Sequence, residues 1–263
     1  MQSISIIGAG NLGQSIATGL LQNGHQLTLS RRKISALSAW ETRENVKLTT
    51  SNTEAIQGAE VIILAVQPRH LQAVLQEIAP QLNANQVVVS TAAGYGIERL
   101  EELLPKGQPL LRAMPNTAVS VQASMTTLSA NTAGRDHLDD VSALFDCVGQ
   151  TLVIDEEQMQ AATVLCASGI AFWLRLIRAN TQGGVEMGFE SDTALKMATQ
   201  TAYGAAQLLL SSGHHPEAEI DRVTTPKGCT ITGLNVMEHQ GMSSAFIQGL
   251  SASFEKINEL KKQ

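Results

Sequence analysis

Cysteine is scarce. The chain of 263 residues has three, Cys147, Cys166 and Cys229, an odd number with no C-x-x-C spacing. That argues against a disulfide framework and a zinc site, and it suits a reducing, cytoplasmic setting. A basic block is also missing. Net charge is −6, so nucleic acid is not an expected partner. The longest apolar run, Val164 to Leu174, has 11 residues and stops at Arg175. A bilayer needs about 20, so no membrane partner is expected. Met1 leads almost directly into a strand pattern, with no positive n-region and no cleavage site, so secretion is not expected. Six histidines are present, but no His–carboxylate pair stands out. His214-His215 precede Pro216 in a loop pattern, and no metal is expected. The apolar fraction of 43% and charged fraction of 16% are ordinary for a globular enzyme of one or two domains.

What is present is an alternation. Short apolar runs at 4–7, 26–29, 61–66, 87–90, 109–111, 126–129 and 151–154 read as strands, with helical spacing in most of the segments between. This predicts an α/β unit with a mostly parallel sheet covered on both faces, which the near-continuous run Val61–Val66 suits. After Asp155 no strand pattern appears. Segment 158–180 is apolar around Val164, Leu165, Ile170, Trp173, Leu174 and Ile177. Segment 191–210 spaces Leu195, Ala198, Ala202, Ala205 and Leu209 by threes and fours, and 243–260 does so with Phe246, Leu250, Phe254, Ile257 and Leu260. The expected boundary lies near residue 153, giving a dinucleotide-binding domain over 1–153 and an all-helical domain over 154–263. So much apolar helix is hard to bury in one copy, and a two-fold homo-oligomer would cover it.

Gly8, Gly10 and Gly13 form G-x-G-x-x-G directly after strand 4–7. The first glycine serves a tight turn, the second lets backbone approach a pyrophosphate, and the third lets helix and strand pack closely. A structural turn in a flavodoxin-like domain is the plainer alternative. Strand 26–29 ends at Ser30-Arg31-Arg32. An NAD-preferring fold places Asp or Glu there, whereas this cluster suits the 2′-phosphate of NADPH, with NADH the weaker cofactor. A solvated basic surface is the alternative. Sequence leaves open which arginine would reach the phosphate. Val66-Gln67-Pro68, Ala92-Ala93-Gly94 and Met114-Pro115-Asn116 follow three further strands, at the ends where open α/β sheets bind ligands. Late in the chain, Arg222 to Leu234 is a Thr/Pro/Gly turn running into a helix, whose free N–H groups would suit a small anionic substrate.

These pieces resemble the pyrroline-5-carboxylate reductase family along the whole chain. G-A-G-N-L-G is similar to its G-x-G-N-M-x, LAVQP to its AVKP, and RAMPNT to its R-x-MPNTP. GVEMGF and ATQTAYGAAQLL match its AGV-x-LG and QT-x-x-GAA-x-LL, and HHPEAEIDRVTTPKGCTITGL its HP-x-x-L-x-D-x-V-x-SPGGTTI-x-GL. The resemblance implies a Rossmann-type doubly wound, mostly parallel sheet followed by an all-helical dimerisation domain. It implies NADPH-dependent reduction of the C=N bond of 1-pyrroline-5-carboxylate to L-proline, by a homodimer or a multiple of dimers up to a decamer. Gly8, Ala9, Gly10, Asn11, Leu12 and Gly13 would hold pyrophosphate; Ser30, Arg31 and Arg32 would face the 2′-phosphate. Asn52, Val66, Gln67, Pro68, Ala93 and Asn116 would complete the cofactor site. Gly228, Cys229 and Thr230 would bind the imine acid, with Thr230 the catalytic residue.

The departures cluster around the substrate. The family's SGSGPAY is CASGIAF here, Lys227 stands where the family has glycine, and Gln67 where it has lysine. A related cyclic imine acid, or a non-catalytic NADP-binding role, therefore stays open at this point. The β-hydroxyacid dehydrogenases share the two-domain plan, but they rely on a lysine in the first helix after the boundary, and here no lysine occurs from Thr163 to Gly188.

Overall fold

The computed structural model describes residues 2–261. Met1, Lys262, Gln263 and the side chains of Leu260 and Lys261 lie outside that description. Two compact units emerge from the packing: residues up to Ser168 together with the chain from Phe254, and residues Gly169–Ser253.

Among the described residues, the first unit carries eight strands: β1 (Ser3–Ile7), β2 (Gln26–Ser30), β3 (Val46–Thr49), β4 (Val61–Leu64), β5 (Val87–Ser90), β6 (Leu110–Met114), β7 (Ser124–Ala130) and β8 (Gly149–Val153). They form one sheet in the order β3-β2-β1-β4-β5-β6-β7-β8. Every pairing is parallel except β6 with β7. Between strands run α1 (Asn11–Gln22), α2 (Asn52–Ala55), α3 (Pro68–Ile78), α4 (Ile97–Glu101) and α5 (Leu138–Asp146). This is a Rossmann-type mostly parallel sheet. Its chain order turns back between β1 and β4, which opens a crevice at the carboxyl ends of those strands.

Strand β4 shows why the sheet is buried on both faces. Its four residues are apolar, and alternate ones point to opposite sides. Val61 and Ile63 join a core with Ile4, Ile6, Ile16 and Leu20, whereas Ile62 and Leu64 join a second core with Leu71, Leu75 and Ile78 of α3. Strand β3 has no counterpart among the expected strands. Its four residues hold Lys47, and only Thr49 is buried, as befits an edge strand with little apolar signal.

Beyond β8, among the described residues, every element is helical: α6 (Met159–Ala162), a π-helical turn (Thr163–Ser168), α7 (Gly169–Glu186), α8 (Ser191–Ser212), α9 (Pro216–Val223), α10 (Cys229–His239) and α11 (Met242–Lys261). The first of these join into one continuous helical run, Glu156–Glu186, of 31 residues. By length and composition alone it is long and apolar enough to cross a bilayer, a criterion that the core helix of a globular protein also meets, and it is longer than the apolar run of 11 suggests. A strict run ends at Arg175, but a helix carries Arg175 and Arg178 without interruption, so counting contiguous apolar residues understates it.

In the helical unit, α7 packs on α8 through small residues. A Cβ on Gly184 would lie 2.9 Å from Ala194 Cβ, so the backbones approach where neither residue has bulk. Phe172 and Trp173 both pack on Phe246, with ring centroids 6.1 and 5.7 Å apart. Much of the remaining apolar surface is uncovered: Trp173 is 60% exposed, Met187 74% and Leu210 70%. Large apolar side chains left exposed in such number suit an interaction surface.

Candidate cofactor cleft and anion turn

The cleft is built from the carboxyl ends of β1, β2 and β4. Gly8 leaves β1 at φ +85°, a backbone that favours glycine. A Cβ there would collide with Val66 Cγ1 and lie 3.0 Å from the Ala65 carbonyl oxygen. At Gly13 a Cβ would lie 3.0 Å from the Gly8 carbonyl oxygen and 3.1 Å from Ile6 Cγ2. Around Gly10 the nearest atom is 3.8 Å away. The first and third glycines are thus required by packing, and the second leaves room on the cleft side. Gly10 precedes α1, and no side chain caps that end. The first N–H groups of α1, from Asn11, Leu12 and Gly13, are then available to an anion. The N–H groups of Gly8 and Ala9 both donate to the Ser30 carbonyl at 3.0 Å, pinning the glycine turn to the end of β2.

Gly8, Gly10, Ser30, Arg31, Arg32, Asn52, Val66 and Gln67 all line one cavity of ≈ 650 Å³. Arg31 is half-buried, and its Nη1 donates to the Ala9 carbonyl at 3.3 Å, so it arches over the glycine turn. Arg32 is exposed at the rim. Pro68 is the first residue of α3 and Gln67 its N-cap. Sequence reasoning missed Lys33, Thr50, Arg69, His70, Ala73, Val74 and Glu77, which also line this cavity. A signal was there: Arg69, Ala73 and Glu77 recur every four residues of α3, opposite its buried stripe Leu71, Leu75 and Ile78.

Ala93 and Asn116 do not line this cavity. Ala93 is exposed beyond β5. Asn116 follows β6, and its side chain is engaged locally: Oδ1 accepts from the Ala118 N–H at 2.9 Å, and Nδ2 donates to the Cys166 carbonyl at 3.2 Å. Cys166 lies in the π-helical turn, where a carbonyl is freed from the regular ladder. Burial pushes its thiol pKa up, so the sulfur stays protonated at neutral pH. The same strand end is held from below by Arg112, whose Nη1 donates to Glu156 Oε1 at 2.5 Å, while Ser129 Oγ donates to Glu156 Oε2 at 2.6 Å.

In the helical unit, Gly228, Cys229 and Thr230 form the start of α10. Gly228 is the N-cap, and no side chain caps the helix. Its own N–H donates to the Thr225 carbonyl at 2.9 Å, closing the turn, and a Cβ on Gly228 would lie 3.0 Å from that carbonyl oxygen. Thr230 is the second residue of the helix, not its cap. Among the described residues, no hydrogen bond engages its hydroxyl. The neighbouring histidines have local tasks: His214 Nδ1 lies 2.7 Å from Glu219 Oε1, and His215 Nδ1 accepts from the Glu217 N–H at 3.3 Å.

Lys227 holds φ +59°, a left-handed backbone uncommon for a residue with a Cβ. Lys227→Gly should raise stability by about 0.5–1 kcal/mol, the relief of about 1–2 kcal/mol of strain less the entropy that glycine adds to the unfolded chain. A thermal melt reads this directly, and an unchanged or lower melting temperature would show that the turn carries no such strain.

Residues 156–260 match the family described as pyrroline-5-carboxylate reductase dimerisation, and residues 3–94 the family described as NADP oxidoreductase coenzyme F420-dependent. The chain is 41% identical to pyrroline-5-carboxylate reductase 1 of Dictyostelium discoideum over 99% of its own length, although it spans only half of that longer protein. It is 38% identical to pyrroline-5-carboxylate reductase 2 of the same organism, covering 98% of this chain and 93% of the relative. Its structure is similar to that of a pyrroline-5-carboxylate reductase from Coxiella burnetii, with a TM-score of 0.93, 28% identity and 98% of each chain covered.

Proposed function

Because the chain belongs to the pyrroline-5-carboxylate reductase family, we propose that it reduces the C=N bond of 1-pyrroline-5-carboxylate to L-proline, with NADPH as the electron donor. The observation that carries this reading is that both ends of the chemistry are built. A cleft with a packed glycine turn and an arginine rim suits a phosphorylated dinucleotide, and an uncapped helix start beside Thr230 suits a small anionic substrate.

Bound NADPH supplies a hydride from carbon 4 of its nicotinamide. The residues of the chain bind, orient and hold protons. Gly8 to Gly13, with the start of α1, receive the pyrophosphate. Arg31 and Arg32 give charge-assisted hydrogen bonds to the 2′-phosphate. Asn52, Val66, Gln67 and Pro68 complete the cofactor contacts around the cleft, and Ala93 and Asn116, which lie outside that cavity, would serve the nicotinamide end. The N–H groups of Cys229 and Thr230 receive the substrate carboxylate at the start of α10, where Gly228 keeps the turn tight. The Thr230 hydroxyl contacts the ring nitrogen and stabilises its proton. A protonated imine is already electrophilic, so positioning is the protein's main contribution. NADPH carrying deuterium at both positions of carbon 4 tests the reading. Proline should appear by mass spectrometry with one deuterium on the former imine carbon, and proline without label, or no proline, would overturn it.

The dimerisation match indicates that the chain oligomerises. We place the boundary between the cofactor and dimerisation domains near residue 153, and assign the assembly to a homodimer or a multiple of dimers up to a decamer. The exposed Trp173, Leu174, Met187 and Leu210 would be covered by a second copy rather than by a bilayer. Three unpaired cysteines suit a reducing compartment, and we place the enzyme in the cytoplasm. Light scattering at micromolar concentration should give a dimer or larger, held by residues after 153. A stable, active monomer would contradict this assignment, as would recovery of the protein only with membranes.

A further inference from the structure

Ser30 is almost completely buried at the end of β2, yet it lines the cleft. Its single proton is already committed. Ser30 Oγ donates to Asn52 Oδ1 at 2.6 Å, and Asn52 Nδ2 donates to Glu77 Oε2 at 2.8 Å. A carboxylate only accepts hydrogen bonds. Glu77 therefore keeps the amino end of Asn52 turned toward itself and the carbonyl end toward Ser30. If the Asn52 amide turned over, its oxygen would face the carboxylate and its amino group would face Ser30. With its proton given to Asn52, Ser30 offers a ligand only lone pairs.

Two ligand chemistries respond in opposite ways to such an oxygen. A ribose 2′-hydroxyl can donate to it. A 2′-phosphate dianion has only acceptors and gains nothing. We infer that Glu77, acting through Asn52, sets the hydrogen-bond polarity of Ser30 and so tunes the choice between NADH and NADPH. Ser30 serves the 2′-hydroxyl of NADH as an acceptor, and the 2′-phosphate of NADPH is held by the cationic rim alone. Glu77 is a positioning residue in this scheme. The inference rests on the reading of the cleft as the cofactor's ribose site, and it changes the part played by Ser30 within it.

Dissociation constants for NADPH and NADH, read from cofactor fluorescence in the wild type, Ser30→Ala, Glu77→Ala and the double variant, test this. In the wild-type background, Ser30→Ala should weaken NADH about five-fold more than NADPH, the worth of one neutral hydrogen bond. Glu77→Ala frees the Asn52 amide to turn, and Ser30 is then able to donate to a phosphate. In that background, Ser30→Ala should weaken NADPH more than NADH. The reversal matters because loss of the Glu77 charge favours NADPH by itself but leaves the effect of Ser30→Ala unchanged. A larger loss for NADPH in the wild-type background, equal losses for both cofactors, or the same ratio in both backgrounds would overturn the inference. Failure of the cleft reading itself would appear elsewhere, as NADPH binding that ignores loss of Arg31 and Arg32.

Discussion

Thr230→Val should lower kcat/KM by about ten- to a hundred-fold and leave NADPH affinity unchanged. The change keeps the β-branched shape and deletes only the hydroxyl. A hydroxyl that holds the ring nitrogen in its protonated, electrophilic form is worth about 1.5–3 kcal/mol, which is that range of rate. The stability cost should be small for a reason the structure supplies: Gly228 is the N-cap of α10 and Thr230 is the second residue of the helix, so no cap is lost. The melting temperature separates the two roles. A large fall in turnover with little thermal shift assigns the hydroxyl to the chemistry. Wild-type turnover would remove Thr230 from the mechanism and move attention to Lys227, the cation one turn residue before Gly228.

Arg31→Ala combined with Arg32→Ala should raise the Michaelis constant for NADPH at least about ten-fold and leave that for NADH nearly unchanged. Each charge-assisted hydrogen bond to a phosphate contributes about 1.5–3 kcal/mol, and NADH has no 2′-phosphate to lose one. Arg31 also donates to the Ala9 carbonyl, so its loss loosens the glycine turn slightly for both cofactors. Arg32 is exposed at the rim and has the freer side chain. An equal loss for NADH and NADPH would mean that the pair braces the turn and does not read the phosphate.

The sheet was legible because burial on two faces leaves its mark in sequence: β4 reads VIIL, and the alternation of its side chains feeds two cores. Strand β3 was not legible, since an edge strand with Lys47 in it needs little apolar content. The long helical run Glu156–Glu186 was understated because Arg175 and Arg178 interrupt an apolar run without interrupting a helix. In the cleft, the glycines and Ser30-Arg31-Arg32 were legible because a turn and a strand end impose residue types. Glu77 had a signal as a lining residue in its spacing on α3 but none as the partner of Asn52, a contact across 25 positions of chain. Nothing in the type or local spacing of a glutamate on an exposed helix face announces such a partner.

The most direct measurement is steady-state NADPH oxidation with 1-pyrroline-5-carboxylate, set beside pyrroline-2-carboxylate and the piperideine carboxylates. The altered CASGIAF and TPKGCT segments make this comparison the decisive one. The expected result is the highest kcat/KM on 1-pyrroline-5-carboxylate, with proline as its product. NADPH binding without turnover of any cyclic imine, or a clear preference for one of the other imines, would contradict the assignment.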